Sequence, residues 1–202
     1  MMTRRAFLGG GPAAAAAALC PLPADGRHLS AAGGRARTPR DRIPNPELVT
    51  HEGRTVRFYD DLVRGRVVAV SFFYVQCTGI CPRSTDNLAR VHDLLGEHAG
   101  REVFFYSLTL TPEKDTPEAL REYRARYGSR DGWTFLTGRW ANLERVRKGL
   151  GFTDPDPRVD ADRSQHSGLL VYGSEPRDAW GALPILSPPS EIAKAIRRRG
   201  RV

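Results

Sequence analysis

Cys77 and Cys81 are the residues whose type and spacing carry the most chemistry in this chain. They bracket the run Cys77-Thr78-Gly79-Ile80-Cys81-Pro82. The run directly follows the apolar stretch Val67–Tyr74 (VVAVSFFY) and precedes a helical pattern. Both cysteines therefore fall where a buried strand meets a helix N-terminus. The unpaired N–H groups and dipole of that helix end favour a thiolate. A spacing of four across a strand-to-helix turn lets both sulfurs face one side. Two uses follow: a reversible disulfide, or a two-thiolate clamp for a soft metal. In an oxidising compartment a purely stabilising disulfide is a third use. A ring this short contributes less than the ~3 kcal/mol of a fifteen-residue loop, which argues for an active role. His166 stands at the end of a polar loop, directly before the apolar run Gly168–Tyr172. Taken alone, a loop imidazole is more often a surface residue than a ligand. His28, His51, His92 and His98 fall in a tail, a turn and the exposed side of a helix, and are assigned no role.

The elements that would position these side chains can be read from periodicity. Leu48–Thr50 and Thr55–Phe58, joined by His51-Glu52-Gly53, suggest a β-hairpin. Val67–Tyr74 and Val103–Leu110 are continuous apolar runs and read as strands buried on both faces. Between them Leu88, Val91 and Leu95 mark one face of a helix that runs to about His98. Thr116-Pro117-Glu118 opens another helix, with Thr as N-cap, Pro at the first helical position and Glu near the positive helix end. Its buried stripe is Leu120, Tyr123 and Tyr127. Trp133–Leu136 is a short strand, and a helix from Trp140 to about Leu150 buries Trp140, Leu143 and Val146. Residues 153–165 form a polar loop, Gly168–Tyr172 a strand, and a last helix from about Pro188 buries Ile192 and Ile196. Strands alternating with helices predict a three-layer α/β/α domain carrying an N-terminal β-hairpin.

The chain has 202 residues, 40% of them hydrophobic and 27% charged, which is a globular composition. No stretch approaches the roughly 18 unbroken apolar residues of a membrane-spanning helix. The net charge of +8 divides unevenly: +5 in residues 1–42, −1 in 43–190 and +4 in 191–202. The folded part is near neutral, which argues against nucleic acid as a partner, since that needs a basic face on the fold itself. The opening MMTRRAFLGGGPAAAAAALCPLPADG has a signal-peptide layout: Arg4 and Arg5, a short Ala-rich apolar segment, then a small residue at Ala24. Thr3-Arg4-Arg5-Ala6-Phe7-Leu8 resembles a twin-arginine export motif. Cys20 follows Leu19 rather than a small residue, so it fits a lipid-anchor site poorly. The expected organisation is a signal at 1–24, a flexible Arg/Gly/Ala/Pro-rich tether at 25–42 and a domain at 43–202. An uncleaved signal would tether the domain at a membrane.

Three runs taken in order resemble the Sco/SenC family. They are Phe72-Phe73-Tyr74-Val75-Gln76-Cys77-Thr78-Gly79-Ile80-Cys81-Pro82, then Leu110-Thr111-Pro112-Glu113-Lys114-Asp115-Thr116-Pro117, then Gln165-His166-Ser167-Gly168-Leu169-Leu170-Val171-Tyr172. The resemblance spans roughly residues 44–198. It implies a thioredoxin-like fold and a copper chaperone for cytochrome c oxidase assembly. The family's copper ligands map onto Cys77, Cys81 and His166. Two thiolates suit Cu(I), and an added imidazole can hold Cu(II) as well. The signal layout at 1–24 predicts an exported protein, periplasmic or on the outer face of the cytoplasmic membrane. Its expected partner is a copper-centre subunit of a respiratory oxidase or another copper client, and a monomer is expected.

The chain departs from the family pattern at three places. The family commonly has Asp inside the CxxxC motif, where this chain has Thr78, Gly79 and Ile80; Asp before the Pro of the second run, here Thr111; and Asp just before the histidine, here Gln165. Each departure removes negative charge near the expected site, and outer carboxylates orient metal ligands and tune their basicity. Asp160 and Asp162 stand in the preceding loop and read as a solvated charge run, with partial substitution as the alternative. Other readings of the same residues are a thiol–disulfide reductase using Cys77 and Cys81 as its redox pair, a peroxiredoxin-like peroxidase, and a Cys2His zinc site. The peroxidase resembles its family less, because Pro and Thr are missing ahead of Cys77.

Overall fold

Val67–Phe73 (β3) is buried at every position, and alternate side chains enter different cores. Val67, Ala69 and Phe73 face one core, and Val68, Val70 and Phe72 face the other. That is the period of two expected of a strand covered on both sides. The computed structural model describes residues 39–163, 165 and 168–202. The expected signal, most of the expected tether, Cys20 and His166 lie outside the described residues. The described residues all fall in one compact unit, Ala36–Val202.

The chain runs α1 (Pro39–Arg42), β1 (Glu47–Thr50), β2 (Thr55–Arg57), a π-helical segment (Phe58–Val63), β3, α2 (Ile80–Leu95) and β4 (Val103–Thr109). It continues with α3 (Pro117–Arg126), β5 (Trp133–Thr137), α4 (Trp140–Gly149), α5 (Pro157–Ala161), β6 (Leu169–Ser174), β7 (Ala179–Pro184) and α6 (Pro189–Gly200). The seven strands form one sheet in the order β2-β1-β5-β4-β3-β6-β7. β3, β4 and β5 are parallel, and the hairpin joins β5 antiparallel. β6 joins β3, and β7 joins β6, both antiparallel. Helices α2, α3 and α6 bury Leu88, Val91, Leu95, Leu120, Tyr123, Ile192 and Ile196 on one face. The π-helical segment and α4 bury Phe58, Leu62, Leu143 and Val146 on the other. The expected three layers and hairpin are therefore present.

The differences from the sequence reading are local. β7 has no counterpart in it: AWGALP mixes Gly and Pro into an edge strand whose side chains are half-buried or exposed. Phe58 does not extend the hairpin but starts the π-helical segment. The helix after the cysteines ends at Leu95 and closes in a 3-10 turn to His98. Trp140 and Tyr127 are only half-buried, while Arg147, placed in no stripe, is buried. The polar loop contains the short helix α5. Residues 39–42, expected within the tether, are helical, and Arg42 pairs with Asp178.

His51 is not a free turn residue. It is 6% exposed; its N–H donates to the Phe135 carbonyl at 2.8 Å and its Nδ1 accepts the Phe135 N–H at 3.3 Å. Burial first, then the positive charge of Arg124, holds its pKa below the usual histidine value; Glu52 and Arg121 also face it. The native state therefore keeps the ring neutral, while the unfolded chain takes up a proton near pH 6.5. Stability from this site is full above that pH and is lost as pH falls through the lower folded value. His51→Asn, which keeps an acceptor for Phe135, is expected to flatten the decline in melting temperature between about pH 7 and 5.

Candidate metal centre

The chain leaves β3 at Phe73 and turns at once, the Cys77 N–H donating to the Tyr74 carbonyl at 3.2 Å. α2 then begins at Ile80 with Gly79 as its N-cap, and no conventional side-chain cap is present. The sulfur of Cys77 takes that place: its Sγ accepts the Cys81 N–H at 3.4 Å. The first turn of the helix thus directs a backbone donor at a thiol, as expected of a strand-to-helix junction. The two cysteines are not joined by a disulfide and both are buried, Cys77 at 7% exposure and Cys81 at 1%.

Burial pushes the Cys77 thiol up. Hydrogen bonds from the Cys81 side chain and backbone, the Tyr74 hydroxyl and the Gly79 backbone outweigh it, and the thiol is held below its ordinary value. Tyr74 moves the opposite way, to about 12, because of its hydrogen bond to Cys77 and then its own burial. It remains a phenol, able to donate to the sulfur. The negative charge of Asp162 contributes to the same rise.

A buried carboxylate holds this turn. Parallel pairing sets Phe73 against Thr109 and so brings the exits of β3 and β4 together. The Leu110 N–H donates to the Phe73 carbonyl at 2.8 Å. Asp115, 1% exposed, then reaches across: its Oδ2 accepts the Val75 N–H at 3.1 Å, the Thr111 hydroxyl at 3.1 Å and the Thr109 hydroxyl. The Thr116 cap of α3 fixes the next turn, its hydroxyl accepting the Ala119 N–H at 3.3 Å. Asp115→Ala removes a buried acceptor from three donors and is expected to cost ~3 kcal/mol. Hydrogen exchange checks the local part: the Val75 amide should exchange faster, while β4 amides far from the site keep their protection.

The segment after α4 closes another side. Arg147, with a side chain 2% exposed, pairs with Glu144 at 2.8 Å and with Asp160 at 2.7 Å, and donates to the Phe152 carbonyl. Arg163 pairs with Glu113 at 3.1 Å, and its guanidinium lies 3.9 Å from the centre of the Trp140 ring. The segment is thereby tied to the run that carries Asp115. Asp160 is drawn to Arg147, so Asp162 is the loop acid that acts on the cysteine turn. Gln165 holds it, its Nε2 donating to the Asp162 carboxylate at 3.1 Å.

The structure brings Cys77 and Cys81 together, as the sequence reading expects. His166 lies outside the described residues, and among those described no group of three His, Cys, Asp or Glu side chains could hold a metal ion. Two soft sulfurs at a helix N-terminus fit a soft monovalent cation, and Cu(I) above others. Tyr74, Asp115 and Arg147 had no role in the sequence reading. Tyr74 and Asp115 stand inside the quoted runs, but nothing in their spacing announces contacts that only the fold creates.

A mixed sheet with a CxxxC pair at the β3–α2 junction defines the thioredoxin-like class of thiol and metal proteins. The SCO1/SenC family model matches residues 36–200, and the chain belongs to that family. A protein of Stutzerimonas stutzeri described as copper-binding is 32% identical over 136 residues, covering 66% of this chain and 65% of the relative. A SCO2-like protein of Rickettsia conorii is 30% identical over 131 residues, covering 61% and 62%. The chain thus spans a little under two thirds of the length of these curated relatives. Yeast Sco1 with copper bound superposes with a TM-score of 0.62 at 21% identity, covering 79% of this chain and 93% of that one. Bradyrhizobium japonicum ScoI with copper bound gives 0.61 at 21% identity, covering 78% and 99%. These structural likenesses establish the thioredoxin-like fold.

Proposed function

We propose that this chain binds copper through Cys77, Cys81 and His166 and delivers it to a respiratory copper-centre subunit such as that of cytochrome c oxidase. The observation that carries the reading is the pair of buried cysteines gathered at one helix N-terminus. The sheet supports the third ligand. Antiparallel pairing of Leu170 with Ser71 brings the start of β6 to the cysteine end of β3. A Cβ on Gly168 would lie 3.9 Å from Ile80 Cδ1, at the first residue of α2. His166 precedes Gly168 by two residues, a span of at most ~7 Å.

In this reading the two thiolates take Cu(I) as cargo, and the imidazole adds a donor that also suits Cu(II). Tyr74 and the Cys81 N–H orient the Cys77 sulfur, and Asp115 keeps the turn in place. A site with three protein ligands leaves room for a client's own donors, so cargo can pass by ligand exchange. The protein acts after export, in the periplasm or at the outer face of the cytoplasmic membrane, as a monomer. Among the described residues no helix is long and apolar enough to cross a membrane.

A second reading is thiol–disulfide exchange on a client's copper-binding cysteines, and the approach of the Cys81 N–H to the Cys77 sulfur supports it. The Cys77 thiolate, the more exposed of the two, would attack the client disulfide and release one client thiolate. The Cys81 thiolate would then attack the mixed disulfide and release the other, leaving a Cys77–Cys81 disulfide and a client reduced by two electrons. Anaerobic Cu(I) titration of the reduced chain beside His166→Ala separates the readings. Copper delivery predicts about one copper per chain in the parent and weaker binding in the variant. No copper binding, with ready exchange on a client disulfide, would replace delivery by reduction.

A further inference from the structure

α6 carries a feature that neither copper nor thiol chemistry uses. Lys194, Arg197, Arg198 and Arg201 follow one another at i, i+3, i+4 and i+7 and therefore share one stripe, about 10 Å long. All four are exposed, while Ile192, Ala193 and Ile196 bury the opposite side. None of the four forms an ion pair among the described residues. The acids on the neighbouring helix α2 are engaged elsewhere: Asp86 with Arg90 at 3.5 Å and Asp93 with Arg130 at 2.9 Å. Asp178, next to β7, pairs with Arg42. The acid of α6 itself is Glu191, in its first turn.

Such a stripe opposes the helix that bears it. Lys194 with Arg198 is a like-charge pair at i,i+4, which destabilises the helix, and Arg197 and the C-cap Arg201 add to the same positive field. Cations in the last turn complement the helix dipole, which accounts for Arg197 and Arg198 but not for Lys194, nearly two turns from the end. An anionic surface laid along the stripe would remove all of the repulsion at once.

We infer that the Lys194–Arg197–Arg198–Arg201 stripe of α6 is a docking surface for an anionic phospholipid membrane. Four cations on an amphipathic helix are the composition that headgroup phosphates recognise. Beside the stripe lies an open cleft of about 320 Å³ lined by Leu94, Ser190, Ala193, Lys194 and Arg197, apolar at its floor and rimmed by two of the cations. The stripe's apolar neighbour is Leu94, 48% exposed, whose carbonyl accepts from Arg197 Nη2 at 2.6 Å. Leucine beside arginine at a surface suits the headgroup–acyl boundary.

The position of the stripe gives the contact a consequence. Gly200 at the end of α6 abuts Val67, the first residue of β3; a Cβ there would lie 3.0 Å from Val67 Cγ2. The cysteines follow the other end of β3, seven residues and roughly 20 Å away. A domain seated by α6 turns Cys77 and Cys81 away from the lipid, towards whatever stands above the surface.

Co-sedimentation of the full chain with vesicles of phosphatidylcholine, with and without 30 mol% phosphatidylglycerol, tests this. Binding should require phosphatidylglycerol, weaken as salt rises from about 50 to 300 mM, and fall about tenfold or more in Lys194→Glu/Arg198→Glu. The neutral pair Lys194→Gln/Arg198→Gln should fall between the two, with melting no lower than the parent's and unchanged copper binding. Equal binding by parent and charge-reversed chains would assign lipid contact to the N-terminal arginines and overturn the proposal. Absence of any phosphatidylglycerol preference, or tighter retention by a polyglutamate resin than by the vesicles, would overturn it too, the last in favour of an acidic protein partner.

Discussion

Replacing Cys81 by serine is expected to lower Cu(I) affinity by about 100-fold or more and to leave the fold intact. Loss of a mere outer-shell partner costs metal sites about 10- to 100-fold, and here a soft donor is exchanged for a hard one. The fold should survive because the Cys81 backbone N–H, which serine keeps, makes a bond to Cys77. Cys77→Ser should behave alike, since a serine oxygen at a helix N-terminus also accepts a backbone N–H. A competition titration against a chromophoric Cu(I) chelator reads the affinity, and a thermal melt reads the fold. Parent-like affinity in both variants would mean that copper is not held by this pair.

The second large effect falls on a residue that touches neither cysteine. Arg147→Met should destabilise the chain by about 3–5 kcal/mol, because it leaves two carboxylates facing an emptied, buried position. Glu144 and Asp160 lie within 2.8 and 2.7 Å of the guanidinium, and their side chains are only 23% and 19% exposed. The same contacts hold Glu144 below the usual carboxylate range, Arg147 being the first cause. The stability they give is therefore present above about pH 4.5 and lost as pH falls through the lower folded value. Urea unfolding checks the loss. Adding Glu144→Gln and Asp160→Asn to Arg147→Met should recover part of it, because the uncompensated charges are then gone. A parent-like midpoint in the single variant would show that Arg147 is not the anchor of the 152–160 segment.

The acidic positions at which this chain departs from its family acquire a physical sense in the structure. Thr111 stands where an Asp is common, and its hydroxyl donates to Asp115, the carboxylate that holds the cysteine turn. Gln165 stands where another Asp is common, and its amide donates to Asp162, whose charge reaches Tyr74. At both positions this chain has a donor that holds a neighbouring acid. Asp115 keeps the Val75 N–H in place, and Asp162 is the negative charge that the turn still senses.

What the amino-acid order determined by itself is what depends on neighbours along the chain. Apolar runs of strand length, the 3.6-residue stripes of α2 and α6, the Thr116-Pro117 helix start and the cysteines at a strand–helix junction are all local patterns. Each of them is present in the fold. The family motifs, too, are short local runs. Tertiary structure decided the rest. β7 forms because β6 offers it a paired edge, although its own Gly181 and Pro184 argue against a strand. His51 is buried because β5 passes across the hairpin turn, bonding both its backbone and its ring. Arg147, by type a surface residue, lies inside because Glu144 and Asp160 arrive with it. Asp115 reaches Val75 across forty residues of chain, through the parallel pairing of β3 with β4. Charge pairing and hydrogen bonding at such separations leave no period in a sequence, because the partner is chosen by the sheet order and not by the spacing along the chain.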